Sequence, residues 1–125
     1  KQIVSFPSAP KEIYDALMDS KKHSFFTNGK ASISKKVGGK FSAYDGYATG
    51  KNLELVEGKK IVQTWRASDW KESDVDSIVT FSFTKTKTGC KLSFTHAGVP
   101  KEHLTHLKNG WKEFYWQPLK EMFGK

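Results

Sequence analysis

Cysteine, arginine and long apolar stretches are all scarce in this chain, and each scarcity removes a class of function. Cys90 is the only cysteine among 125 residues. An intrachain disulfide and a four-cysteine zinc site are therefore impossible, and a reducing, cytoplasmic compartment is expected. No apolar run approaches the ~20 residues of a membrane span, and the first residues lack the basic-then-apolar order of a secretory leader, so no membrane association is expected. Arg66 is the sole arginine among 21 basic residues. Base readout and bidentate phosphate clamps favour arginine over lysine. The lysines are also dispersed, with Lys21-Lys22, Lys35-Lys36, Lys59-Lys60, Lys85 and Lys87 in predicted loops or at strand ends. The net charge of +8 thus reads as a solvated lysine surface that steers toward an acidic protein partner, with no nucleic acid expected.

Catalytic patterns are missing as well. No serine or threonine sits in a nucleophile elbow, and Cys90 opens a strand as a small core residue. Gly38-Gly39 precede a strand rather than open a helix, so close backbone approach or a bulge accounts for them and a phosphate loop does not. Glu102-His103-Leu104-Thr105-His106 reverses the order of a zincin motif, and no third ligand is evident. Asp69, Glu72, Asp74 and Asp76 form one acidic loop without the glycine-centred spacing of a calcium site. No enzyme activity, metal or cofactor is expected.

What is present is a strand-rich domain closed by a long helix. At this length the chain is expected to form one domain, residues 1–125, burying roughly two-thirds of the surface its unfolded form exposes. Its first residue is Lys, which suggests a trimmed or excised piece of a longer protein. Gln2 to Phe6 alternates as a strand, with Val4 and Phe6 on one parity. Pro10 opens a helix whose stripe is Ile13, Tyr14, Leu17 and Met18. Ser20 is expected to N-cap a second short helix carrying Phe25 and Phe26 and stopped by Asn28-Gly29.

From Ala31 to Ala97 the pattern is strand and turn. Phe41 and Ala43 share a face, Leu53 and Leu55 alternate with polar neighbours, and Glu57-Gly58-Lys59-Lys60 turns into Ile61 to Ala67. In that strand Ile61, Gln63 and Trp65 point one way; Val79, Phe81 and Phe83, then Leu92, Phe94 and His96, make the matching faces of the next two. After Val99-Pro100 the period lengthens. Leu104, Leu107, Trp111, Phe114, Tyr115, Leu119, Met122 and Phe123 recur at helical spacing, long enough to cross the sheet. Gly110 costs about 1 kcal/mol of helix propensity, and Pro118 removes the hydrogen bond due to Phe114, so a bend or break is expected there.

Gly38-Gly39-Lys40-Phe41, Asp45-Gly46, Gly50, Leu55-Val56, Ile61-Val62, Trp65-Arg66, Trp70, Gly98-Val99-Pro100, Gly110-Trp111, Leu119-Lys120 and Phe123-Gly124 stand in one characteristic order. In it the chain resembles, over essentially its whole length, the carboxyl-terminal domain of activators of the heat-shock protein 90 ATPase and the broader family of stand-alone domains named after it. The resemblance implies an α+β, helix-grip (START-like) fold: a curved antiparallel sheet wrapped around a long C-terminal helix, with two short helices after strand 1. It implies a co-chaperone that binds across the two amino-terminal ATPase domains of a heat-shock protein 90 dimer and favours their closed arrangement. The full eukaryotic activator has a further amino-terminal domain, so this chain is expected to be either a domain excised from such a protein or a stand-alone relative.

Two sets of site residues follow. Charge and exposure nominate Lys35, Lys36, Lys40, Arg66 and Trp70 for the partner; Trp70 is either such an anchor or folded back onto the sheet. Phe41, Gln63, Trp65, Phe81, Phe83, Phe94, His96, Trp111 and Tyr115 meet between sheet and helix. They form either a filled core or the wall of a cavity for a hydrophobic small molecule, which is the alternative function. Gln63 and His96 are the candidate partners for the indole N–H groups of Trp65 and Trp111.

Overall fold

A computed structural model describes residues 2–27 and 29–123. Strand β1 (Gln2–Phe6) is followed by helices α1 (Pro10–Met18) and α2 (Ser20–Thr27). Six strands come next: β2 (Ser32–Ile33), β3 (Lys40–Ala43), β4 (Ala48–Val56), β5 (Lys60–Ala67), β6 (Ser77–Thr86) and β7 (Gly89–Ala97). They form one sheet of order β1-β7-β6-β5-β4-β3-β2, every neighbouring pair antiparallel. A helical stretch of 22 residues closes the chain across the sheet. This is the expected helix-grip fold.

Alternation decides which face meets the helices. Val4 and Phe6, Ile61 and Trp65, Val79, Phe81 and Phe83, and Leu92 and Phe94 are all buried, while Ile3 on the opposite parity is exposed. Helix α1 presents Ile13, Tyr14, Leu17 and Met18 to this face, with Tyr14 edge-on to Phe83 at 6.1 Å. Cys90 is fully buried, and burial, with Glu12 nearby, raises its thiol pKa.

Three local readings need correction. First, Asp19 rather than Ser20 caps α2: its carboxylate accepts the Lys22 N–H at 3.0 Å and its carbonyl that of His23 at 2.9 Å. Ser20 instead ties the helix to β2 by accepting the Ile33 N–H at 2.8 Å. Of the residues assigned to this helix, Phe25 is exposed; the Phe26 side chain and Asn28 lie outside what is described. Second, β4 turns inward at Ala48 and Asn52 and outward at Leu53 by plain alternation, and the bulge between Asn52 and Glu54 then resets its register against β5, so that Leu55 is half-buried against the core. Burial of Asn52 is tolerable because its amide donates to the Ser34 and Lys36 carbonyls at 2.7 and 3.0 Å while its oxygen accepts Gln63 Nε2 at 2.9 Å.

Third, the terminal helix does not break at Pro118. It runs as a 3₁₀ turn (Lys101–His103), α3 (Leu104–Trp111), a π-helical turn (Lys112–Trp116) and α4 (Gln117–Met122). The wider turn absorbs the proline. The Phe114 carbonyl left without its helical donor accepts the Tyr44 hydroxyl at 2.6 Å.

Candidate functional site

The nine interior candidates divide. Phe81, Phe94, Trp65, Trp111 and Tyr115 form a continuous aromatic tract, with Trp111 4.5 Å from Phe94 and 4.6 Å from Tyr115, centroid to centroid. Phe41 and Gln63 close its inner end. The void these residues share measures about 20 Å³, room for one water at most. Here the filled-core reading holds. Phe83 lies apart, under α1.

His96 sits at the centre of a polar thread through this tract. Trp111 Nε1 donates to His96 Nδ1 at 3.1 Å, His96 Nε2 lies 2.7 Å from Ser77 Oγ, and Ser77 Oγ donates to the Trp65 carbonyl at 2.7 Å. Each donor finds an acceptor only if His96 is neutral and carries its proton on Nε2. Burial agrees, holding the pKa of His96 down at about 4, and does the same to buried His23. The expected indole partner is thus found for Trp111 at His96. Gln63 serves Asn52 and, at 3.9 Å, the Met18 sulfur.

Open space lies at the edge of the helix. A cavity of about 320 Å³ opens between the β3–β4 turn and the helix. Tyr44, Tyr47, Trp65, Trp111, Phe114 and Tyr115 supply its aromatic walls, with Gly110 between them on the helix. Only Trp65, Trp111 and Tyr115 were among the sequence candidates. The missed residues had faint signals: tyrosines flanking Asp45-Gly46, a glycine inside an amphipathic helix, and a proline four residues beyond Phe114. Burial raises the hydroxyl pKa of Tyr44 and Tyr115, and that of Tyr47 with a contribution from Asp69.

Among the partner candidates, Lys35, Lys36 and Lys40 are exposed around the glycine turn, Lys35 at 3.5 Å from Asp19. Arg66 is committed internally. Its guanidinium donates to the Asp74 carbonyl at 2.6 Å, to Asp76 at 3.2 Å, and to the Lys71 carbonyl, so it ties down the acidic loop. Trp70 is folded back and only 6% exposed, edge-on to Trp65 at 5.7 Å and stacked on His103 at 5.8 Å. It is therefore a fastening for the loop rather than an exposed anchor. His103 and His106 face one another at 3.2 Å, and Asp74 and Glu102 bring carboxylates within 4.8 Å of His103. Glu102 also faces Lys71 at 3.9 Å, and the cluster carries no assignment.

Fold and site together define a helix-grip domain with a packed aromatic interior and an apolar pocket at its edge. The chain matches the family model described as Activator of Hsp90 ATPase homolog 1-like protein over residues 7–124, and it belongs to that family. It is 33% identical over 119 residues to an Activator of 90 kDa heat shock protein ATPase homolog from Dictyostelium discoideum, covering 94% of this chain and 31% of the relative. Against the human Activator of 90 kDa heat shock protein ATPase homolog 1 the identity is 29% over 120 residues, covering 96% and 35%. The chain thus spans about a third of the length of these curated relatives. The crystal structure of an HSP90 activator from Plasmodium falciparum superposes with a TM-score of 0.90 at 30% identity, over 98% of this chain and 94% of that one.

Proposed function

We propose that this domain is a cytoplasmic co-chaperone module that binds a 90 kDa heat-shock protein and raises its ATPase rate without hydrolysing ATP itself. Family membership over residues 7–124 carries the reading, and the likeness to a solved HSP90 activator chain supports it. Such a module needs no catalytic group of its own. A ligand accelerates a gated reaction by binding the competent arrangement more tightly than the resting one. The exposed Lys35, Lys36 and Lys40, in a chain of net charge +8, suit steering toward an acidic partner surface.

The test is titration of the domain into its cognate chaperone, with complex formation and ATP turnover measured together. Saturable binding with raised turnover is expected; the rise is modest, because one contact holds a partner less well than two linked contacts. The Lys35→Glu, Lys36→Glu double variant should associate more slowly, and added salt should shrink the difference. Absence of binding at high micromolar concentration would sink the reading. Equal association rates at low salt would remove the two lysines from the contact.

A further inference from the structure

We propose that Asp74, Glu102, His103 and His106 form a binding site for one zinc ion, which pins the acidic loop between β5 and β6 to the start of the terminal helix. Spacing along the chain brings together only Glu102 and His103 of the 3₁₀ turn and His106 of α3. Folding supplies the donor that this spacing lacks. The loop carries Asp74 to them, and ligand atoms of Asp74, Glu102 and His103 all lie within 4.8 Å of one another. His103 Nδ1 faces His106 Nε2 at 3.2 Å. Two nitrogens each about 2.05 Å from one tetrahedral zinc stand about 3.3 Å apart, so the two imidazoles already have the separation of a chelate.

The donors are held from outside the cluster. One Asp74 carboxylate oxygen accepts the Lys71 N–H at 2.9 Å, and the Asp74 N–H donates to the Lys71 carbonyl at 2.9 Å. Arg66 fastens the same turn through the Asp74 and Lys71 carbonyls and directs its charge to Asp76, not to the Asp74 carboxylate. The His103 ring is stacked on buried Trp70. Such outer contacts orient ligands before an ion arrives. Without an ion the arrangement is unfavourable, because two carboxylates converge and, among the described residues, the ammonium recorded against them is that of exposed Lys71, 3.9 Å from Glu102. Two imidazole nitrogens and two carboxylate oxygens also select the ion. Magnesium and calcium take sets of oxygen donors and cuprous ion takes sulfur, whereas this mixture suits zinc. Four protein donors leave no open position for a substrate, so the ion is structural. This site is independent of the chaperone contact proposed above.

The test is calorimetric titration of zinc into the whole domain at pH 7, with magnesium and calcium as comparators. One zinc ion per chain should bind, neither comparator should displace it at equal concentration, and the unfolding midpoint should rise with zinc concentration. Asp74→Asn keeps an acceptor for the Lys71 N–H, and it and His106→Gln should each weaken zinc at least about tenfold. If either variant does not fold, imidazole nitrogen resonances of the unmodified protein decide. Saturating zinc should shift His103 Nδ1 and His106 Nε2 and leave the ring nitrogens of His23 and His96 in place. Zinc bound as tightly by folded Asp74→Asn is held by the histidine pair alone and overturns the site. So do a failure to saturate at one ion, displacement by either comparator, unchanged affinity in folded His106→Gln, or nitrogen shifts that miss either His103 or His106.

Discussion

Trp111 joins the helix to the sheet both by packing and by its single polar atom, and two substitutions separate these roles. Trp111→Ala removes a 5%-exposed ring from the aromatic tract and should cost on the order of 3–5 kcal/mol, read from the shift of the urea midpoint. Trp111→Phe keeps much of the ring but orphans His96 Nδ1, and should cost roughly 1–3 kcal/mol. An unchanged midpoint in both would mean that the helix does not press this face against the sheet. This contact was legible in part: the strand parity of His96 and the helical spacing of Trp111 placed both inward. Ser77 was not, because a serine at a strand start carries no mark of the histidine it will meet 19 residues later.

At the scale of elements, the terminal helix depends on a bond from outside it. Tyr44→Phe removes the donor to the Phe114 carbonyl and should lower stability by about 1 kcal/mol while loosening the π turn. Hydrogen exchange should quicken for the amides of residues 114–117 and 119, with distant β7 amides changing only as far as global stability does; uniform acceleration would contradict a local role. Strand parities in β5, β6 and β7 were readable because each has one face buried, so side chains repeat with period two. Failures occurred where a long-range bond overrode local preference. Asn52 is buried because Ser34, Lys36 and Gln63 satisfy it, and those partners lie 11 to 18 residues away. Likewise Pro118 announced a lost bond but could not announce Tyr44, 70 residues from the carbonyl it serves. The interior of the grip was readable as apolar, yet whether it was full or hollow depended on side-chain fit that spacing does not encode.

For the molecule as a whole, two neutral histidines, His23 buried and His96 half-buried, predict acid lability. His23 and His96 have pKa values lowered from 6.5 to about 4 by burial, so between those values the unfolded chain binds more protons than the folded one. Stability is therefore full above about pH 6.5 and falls as pH drops toward 4, by up to ~2.7 kcal/mol per pH unit if both histidines contribute. Below about 4 both groups are protonated in the folded and the unfolded state and take nothing further. Asp19, whose pKa is lowered chiefly by its bond from the Lys22 N–H, loses its contribution only below 3.8, outside that window. Urea midpoints measured from pH 7.5 to 4.5 should trace this fall, with a shallower slope in His96→Gln; a flat profile would refute it. The aromatic tract also has an optical consequence. Trp70, Trp65, Trp111 and Trp116 form an unbroken chain with successive ring centroids 5.7, 5.8 and 5.8 Å apart. At such spacing the indole transitions couple, so absorbed light is shared along all four rings before any one emits. The folded domain should consequently show an exciton couplet in far-ultraviolet circular dichroism that vanishes when tertiary packing is lost, and an estimate of its helix content from that spectrum would be distorted by the tryptophans.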